Sequence, residues 1–199
     1  MNESARKEPH PAVDLVIRIV LLAVMTSLVL MVTYLFIFPI PATQGYFNFG
    51  DIMIFVTALT FGPAIGGFAG GVGSSLSDFF GGFTIFAPFT LVIKGLEGLT
   101  AGFIAERKFR GSSFAAWLIA GSVMVGGYFL TESFFIALLY GASETTGVIA
   151  ALSEVPFNVL QVFAGGLVGI PVSRFLRQAL RSYVLPGNPR VPTSAEKGN

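Results

Sequence analysis

An all-α integral membrane protein with six transmembrane helices, short loops and both termini on the cytoplasmic side is the fold class this sequence predicts. Three observations carry that expectation: 12 % charged against 53 % hydrophobic residues, six apolar runs, most of them near bilayer length, and basic residues grouped on one side of the spans, all but Lys94, which lies within the fourth. A soluble domain would carry about a quarter charged residues; with a mean hydropathy of +0.76, most of this chain does not face water. Cysteine is absent, and the single histidine, His10, lies in the polar segment MNESARKEPHP. Disulfides, thiolate metal sites, cysteine nucleophiles and histidine chemistry within the membrane are therefore excluded; no metal ligand and no catalytic residue is predicted.

A helix needs roughly 20 apolar residues to cross a bilayer. The first run, LVIRIVLLAVMTSLVLMVTYLFIF at 15–38, stops at Pro39 and Pro41. It follows a basic tail and lacks a small-residue cleavage site, so it is expected to be a retained span rather than a signal peptide. The second, 50–62, is short and ends at Gly-Pro; the third, 63–80, is rich in glycine. The remaining spans are 88–106, 114–140 and 148–177. Residues 1–14 form an N-terminal cytoplasmic tail, 15–178 the membrane domain, and 179–199, rich in Pro, Gly and polar residues, a C-terminal tail expected to be disordered.

Cytoplasmic loops collect Lys and Arg. Arg6, Lys7 and Arg18 lie at the start of the first span, Arg107, Lys108 and Arg110 between the fourth and fifth, and Arg174, Arg177, Arg181, Arg190 and Lys197 at or after the end of the sixth. All three groups fall on one side, whereas the opposite connections at 39–49, 81–87 and 141–147 have no basic residue. A multi-pass protein of the cell membrane with both ends inside is the expected topology.

GPAIGGFAGGVGSSLSD, at 62–78, invites three readings. A phosphate-binding loop needs a lysine after its glycines and a strand before them, and both are missing. A flexible linker would leave backbone amides unsatisfied in lipid. The spacing favours a helix: Gly62, Gly66, Gly70, Ser74 and Asp78 recur every fourth residue, with Gly67, Gly71 and Ser75 beside them. Small residues at this interval let helix backbones approach closely. The face can pack within the bundle or against a partner subunit.

Ionised side chains near the bilayer centre cost about 2.5–3.5 kcal/mol on insertion scales, so each needs a reason. In this topology Asp51, Asp78, Lys94, Glu97, Glu132 and Glu154 all fall in the outer half, and the inner half is nearly all apolar. Such asymmetry predicts an outward-facing polar cavity rather than an ion pore. Lys94 and Glu97, at i and i+3, can pair; Glu154, Asn158 and Gln161, at i, i+4 and i+7, form a polar stripe, and Asn48 closes the first outer loop. Interhelical hydrogen bonding is the alternative role for any one of these groups. Phe47, Phe86 and Phe89 are candidates to stack on a ligand. Five acids against one lysine suit a cationic substrate.

NFGDIMIF, FGPAIGGFAGGVGSSLSDFFGG, APFTLVIKGLEGLTAGFIAE and EVPFNVLQVFAGGLVGIPV, in this order and spacing, resemble the S components of energy-coupling factor (ECF) transporters, riboflavin-type group, over residues 15–178. The resemblance implies a six-helix membrane protein that captures a water-soluble vitamin or precursor from outside: riboflavin, a hydroxymethylpyrimidine-type thiamine precursor, or a vitamin of the B6 class. It implies a transmembrane coupling subunit and two cytoplasmic ATPases as partners, so that ATP is used only by those partners, the vitamin is cargo, and no cofactor serves catalysis. The docking pair of small residues in the family's first span corresponds to Ala23 and Ser27, with Ser in place of the commoner Ala; Gly62, Gly66 and Gly70 are further docking candidates. PIPATQGYFN, at 39–48, corresponds to a lid. Beyond cargo, partner subunits and membrane lipid no other partner, and no nucleic acid, is expected. Two other classes compete: a self-sufficient secondary transporter, which would carry polar groups through the full membrane depth and usually an internal repeat, and an intramembrane enzyme, which would have to pair Ser74, Ser75 or Ser77 with Lys94 or a carboxylate.

Overall fold

The computed structural model describes residues 11–40, 45–107, 111–136, 141 and 143–180. His10, Arg6, Lys7, Lys108, Arg110, Arg181, Arg190 and Lys197, and with them most of both expected tails, lie outside the described residues.

Among the described residues, six α-helices follow one another in the order of the six apolar runs. They are α1 (Pro11–Leu35), α2 (Gly50–Phe61), α3 (Pro63–Gly81), α4 (Ala87–Ala105), α5 (Ser112–Leu130) and α6 (Glu144–Ala179). α1 begins ahead of the expected span because Pro11 is tolerated in a first helical turn, and Asp14 pairs with Arg18 at 2.9 Å across its next turn. Four stretches, Ala12–Leu35, Ala87–Ala105, Ser112–Phe134 and Thr145–Ala179, are long and apolar enough to cross a membrane. α2 is not: its 12 residues rise about 18 Å, short of a hydrocarbon core about 30 Å thick.

Two features depart from a purely helical reading. Between α1 and α2, β1 (Phe38–Pro39) and β2 (Tyr46–Phe47) pair antiparallel, Phe38 opposite Phe47 and Pro39 opposite Tyr46. Aromatic side chains favour this extended pairing: the Phe47 ring lies 6.0 Å from Phe38 and 5.0 Å from Phe49. At the end of α5 the helix widens into a π turn over Thr131–Ile136.

Glycine decides how closely the helices approach. α2 hands over to α3 at Gly62, whose φ of 92° suits glycine, and Pro63 opens the next helix. Along the antiparallel α3–α4 contact, a Cβ at Gly70 would meet the Lys94 carbonyl at 2.7 Å and one at Gly71 the Leu91 carbonyl at 2.6 Å. Gly66 fits between Ala58 of α2 and the Gly98 carbonyl of α4, and Gly73 faces Thr26 and Val29 of α1. α3 thus lies backbone to backbone against its neighbours.

The bundle is apolar outside and mixed inside. Large apolar side chains such as Val16, Phe79, Phe103, Leu167 and Phe175 are exposed, whereas buried polar side chains are as numerous as buried apolar ones among the described residues. Two apolar clusters fill the half that holds the C-terminal ends of α2 and α4. One gathers Phe55, Ala58, Leu59, Ala101, Ala116 and Ala120; the other, on the α1 side, gathers Met25, Val29, Ile54 and Ala69. The opposite end is polar.

Candidate functional site: a lidded polar cavity

At that polar end the N-terminal turns of α2 and α4 meet the C-terminal turns of α1 and α3, the π turn and the first half of α6. Their side chains wall a cavity open at its mouth, about 420 Å³ with the open solvent at that mouth included.

Its floor is set by Lys94. The close approach of α3 and α4 carries Lys94 inward until its ammonium donates to Asp51 and lies 3.2 Å from Glu97. All three side chains are 3 % exposed or less. The i, i+3 pairing of Lys94 with Glu97 is present, and Asp51 from α2 completes it as an interhelical triad. Removing one member of such a group leaves an uncompensated buried charge, at a cost of about 3–5 kcal/mol. The ammonium also lies 5.7 Å from the ring centre of Tyr128.

The roof is the hairpin. Tyr46 on β2 donates its hydroxyl to Asp78, and its ring lies 4.5 Å from Phe83 beyond α3. Burial, followed by the charge of Asp78, pushes the Tyr46 phenol above its ordinary pKa, so it stays a donor. Gly45 lies so close to α6 that a Cβ there would collide with the Glu154 carboxyl. Asn48 turns its Oδ1 to the Gly50 amide at 2.7 Å, securing the start of α2.

The walls come from α5 and α6. π turns recur at functional sites; here Glu132 lies in the π turn and interacts directly with Glu154 of α6. Gln161 donates to Asn158 at 3.1 Å, one turn along the same stripe. Tyr128 donates to Thr90 at 3.1 Å, tying α5 to α4. Deeper down, the Trp117 indole donates to the Val162 carbonyl at 2.6 Å and holds α5 on α6.

Seven of the nine residues singled out from the sequence line the cavity: Asn48, Asp78, Lys94, Glu132, Glu154, Asn158 and Gln161. Asp51 and Glu97 stand behind Lys94, as its partners rather than as wall. Of the three phenylalanines, Phe86 lines the cavity, Phe47 belongs to the hairpin's aromatic cluster and Phe89 is not part of the lining. Sequence reasoning missed Tyr46, Thr33, Thr90 and Tyr128, and it placed Ser74 on the packing face and in the enzyme alternative rather than among the binding residues. Three of these sit one helical turn from a residue it named: Ser74 from Asp78, Thr90 from Lys94, Tyr128 from Glu132. That spacing was the available signal.

The docking candidates separate. Ala23 and Ser27 are exposed on α1, Ser27 donating to the Ala23 carbonyl at 2.9 Å. Gly66 and Gly70 are buried against α2 and α4 of this same chain, which leaves them no free surface. Gly62 is half-buried in the α2–α3 turn.

A bundle with an apolar exterior and a polar, lidded hollow at one end defines a membrane protein built to hold a small polar molecule. The family model described as "ECF-type riboflavin transporter, S component" matches residues 15–178. This chain belongs to that family of S components. It is 40 % identical over 143 residues to a protein of Pyrococcus woesei described as "Uncharacterized protein in gap 3'region", covering 71 % of this chain and 89 % of the relative. It is 31 % identical over 149 residues to the thiamine precursor transporter HmpT of Lactococcus lactis subsp. cremoris (strain MG1363), covering 74 % of this chain and 80 % of that one. Its fold matches a solved S component of a bacterial ECF transporter with a TM-score of 0.67 at 24 % identity, over 82 % of this chain and 97 % of the other. The family is one of transporter components that bind vitamins, not of enzymes.

Proposed function

We propose that this chain is the substrate-binding membrane subunit of an ECF-type ABC importer and captures a water-soluble vitamin or vitamin precursor from outside the cell. It spans the cell membrane with all six helical segments, α2 and α3 acting together, and both termini are cytoplasmic. The cavity residues bind and orient the cargo and catalyse nothing; a transmembrane coupling subunit and two cytoplasmic ATPases supply the ATP-driven step, and Ala23 and Ser27 form part of the coupling subunit's dock. One observation carries this reading: the polar cavity lies under a hairpin lid at one end of the bundle, while apolar clusters close the other end. Such a vessel loads from one side only and cannot serve as a pore. The relative that transports a thiamine precursor supports cargo of this size and polarity.

The test is a binding screen on the purified full chain in detergent, with native mass spectrometry of what it retains from cells. A B-group vitamin or precursor bound at up to one per chain is the expected result. No retained small molecule, together with no binding to any member of a B-vitamin panel that includes riboflavin, overturns the proposal.

A further inference from the structure

The hairpin is fastened to the cavity wall at two adjacent residues. Tyr46 donates to Asp78 of α3. Gly45 is seated on α6, where the Glu154 carboxyl fills the space that a Cβ on Gly45 would need. Both acids are at most 4 % exposed, so their placement rests on neighbouring side chains rather than on bulk water.

Asp78 is in particular need of support. It lies in the last turn of α3, where the helix dipole disfavours a negative charge, and Lys94 pairs with Asp51 and Glu97 instead. Hydroxyls take the place of a cation. Tyr128 of α5 donates to the Thr90 oxygen at 3.1 Å, which leaves the one Thr90 hydroxyl proton for the Asp78 carboxyl beside it. Glu154 is supported from the same direction: Glu132 of the π turn is in hydrogen-bonding contact with it. Tyr128 and Glu132 sit one turn apart, where α5 passes into the π turn. One junction therefore stands behind both fastenings, and the bonds it makes strengthen those they feed.

We infer that Tyr128 and Glu132, with Thr90 as the link to Asp78, are positioning residues for capture: from the junction of α5 and the π turn they fix the two carboxyl groups onto which the hairpin closes. The closed state of the lid is thereby set by side chains outside the lid. The inference rests on the receptor role proposed above for what an open hairpin admits, but its test requires no cargo, so the two can fail separately.

Ser74 lines the cavity and is 2 % exposed, so in this cysteine-free chain a thiol placed there by Ser74→Cys is modified when the hairpin opens. The experiment measures that rate in the purified full chain in detergent, with a small polar methanethiosulfonate and no ligand added. Ser173→Cys, buried in α6 outside the cavity lining, reports global opening. Tyr128→Phe, which keeps the ring, Thr90→Val and Glu132→Ala each speed modification at position 74 about threefold or more and leave it unchanged at position 173. Thr90→Ser, which keeps the hydroxyl, and Glu132→Gln, which can still donate to Glu154, retain the original rate. Combined with Tyr46→Phe, Tyr128→Phe adds nothing, because it acts through the bond already removed. An unchanged rate in a folded Tyr128→Phe or Glu132→Ala protein, an equal rise at position 173, or additive effects in the double variant overturn the inference while the receptor role stands. Should either variant fail to fold, Thr90→Val against Thr90→Ser decides the matter by the same rates.

Discussion

Lys94 shows what a single residue does when it is the only cation among the described lining residues. It is buried and satisfied by Asp51 and Glu97, so its first duty is to hold α2 and α4 in register beneath the cavity. Lys94→Met leaves two buried carboxylates facing one another; the expected loss is about 3–5 kcal/mol, read as a lower thermal unfolding midpoint in detergent, and adding Asp51→Asn recovers part of it. A Lys94→Met protein with an unchanged midpoint would show that the triad contributes nothing to stability. Tyr46 works differently, because its bond to Asp78 fastens the hairpin to α3 over the cavity; on the proposed function these two elements part when cargo enters. Hydrogen bonds to charged groups contribute about 1.5–3 kcal/mol, so Tyr46→Phe should release bound ligand at least roughly tenfold faster in stopped-flow exchange. An unaltered off-rate would place the rate-limiting closure elsewhere.

At the scale of elements, the α3–α4 contact is where sequence and architecture meet. The glycine rows are legible as a packing face from spacing alone, but their partner is not: nothing in the local sequence tells Gly66 and Gly70 whether they will meet this chain's α4 or another subunit. The hairpin and the π turn were equally hidden, since β1 and β2 pair across a loop and nothing in the local sequence marks the switch from α to π register at Thr131–Ile136. The ionisable residues were legible because charge in an apolar run is costly: Asp78, Lys94, Glu132 and Glu154 line the cavity and Asp51 and Glu97 stand behind Lys94; their neighbours a turn away carried a weaker signal, as hydroxyls occur throughout membrane helices. The contact itself can be tested. Gly71→Ala places a methyl 2.6 Å from the Leu91 carbonyl, which the backbone must yield to. Overpacking of this kind costs about 1–3 kcal/mol, and it should also abolish ligand binding by shifting Lys94. Gly126, with nothing within 4 Å of a would-be Cβ, is the control: Gly126→Ala should be neutral or stabilising by up to about 1 kcal/mol. Equal unfolding midpoints for the two variants would mean that the close approach is not a structural requirement.

For the whole molecule, the proposed function requires cavity and dock to be separable, since a receptor of that kind would bind cargo whether or not it is engaged with its partners. Ala23 and Ser27 lie on the outward side of α1 and outside the cavity lining. Ala23→Leu should therefore leave vitamin affinity unchanged and prevent co-purification with the coupling subunit; an intact complex would move the dock off this face. Orientation is the remaining property on which uptake depends, since a cavity opening toward the cytoplasm could not collect anything from outside. The chain contains no cysteine, so one introduced thiol reports its own location without background. Thr145 lies exposed at the start of α6, at the cavity end, and Ser112 opens α5 at the other end, beside the basic connection. A membrane-impermeant maleimide should label Thr145→Cys in intact cells, and Ser112→Cys only after the membrane is permeabilised. The opposite pattern would turn the cavity mouth inward, and the three basic groups at the arginine-bearing end would then face outside, against the bias that orients membrane proteins.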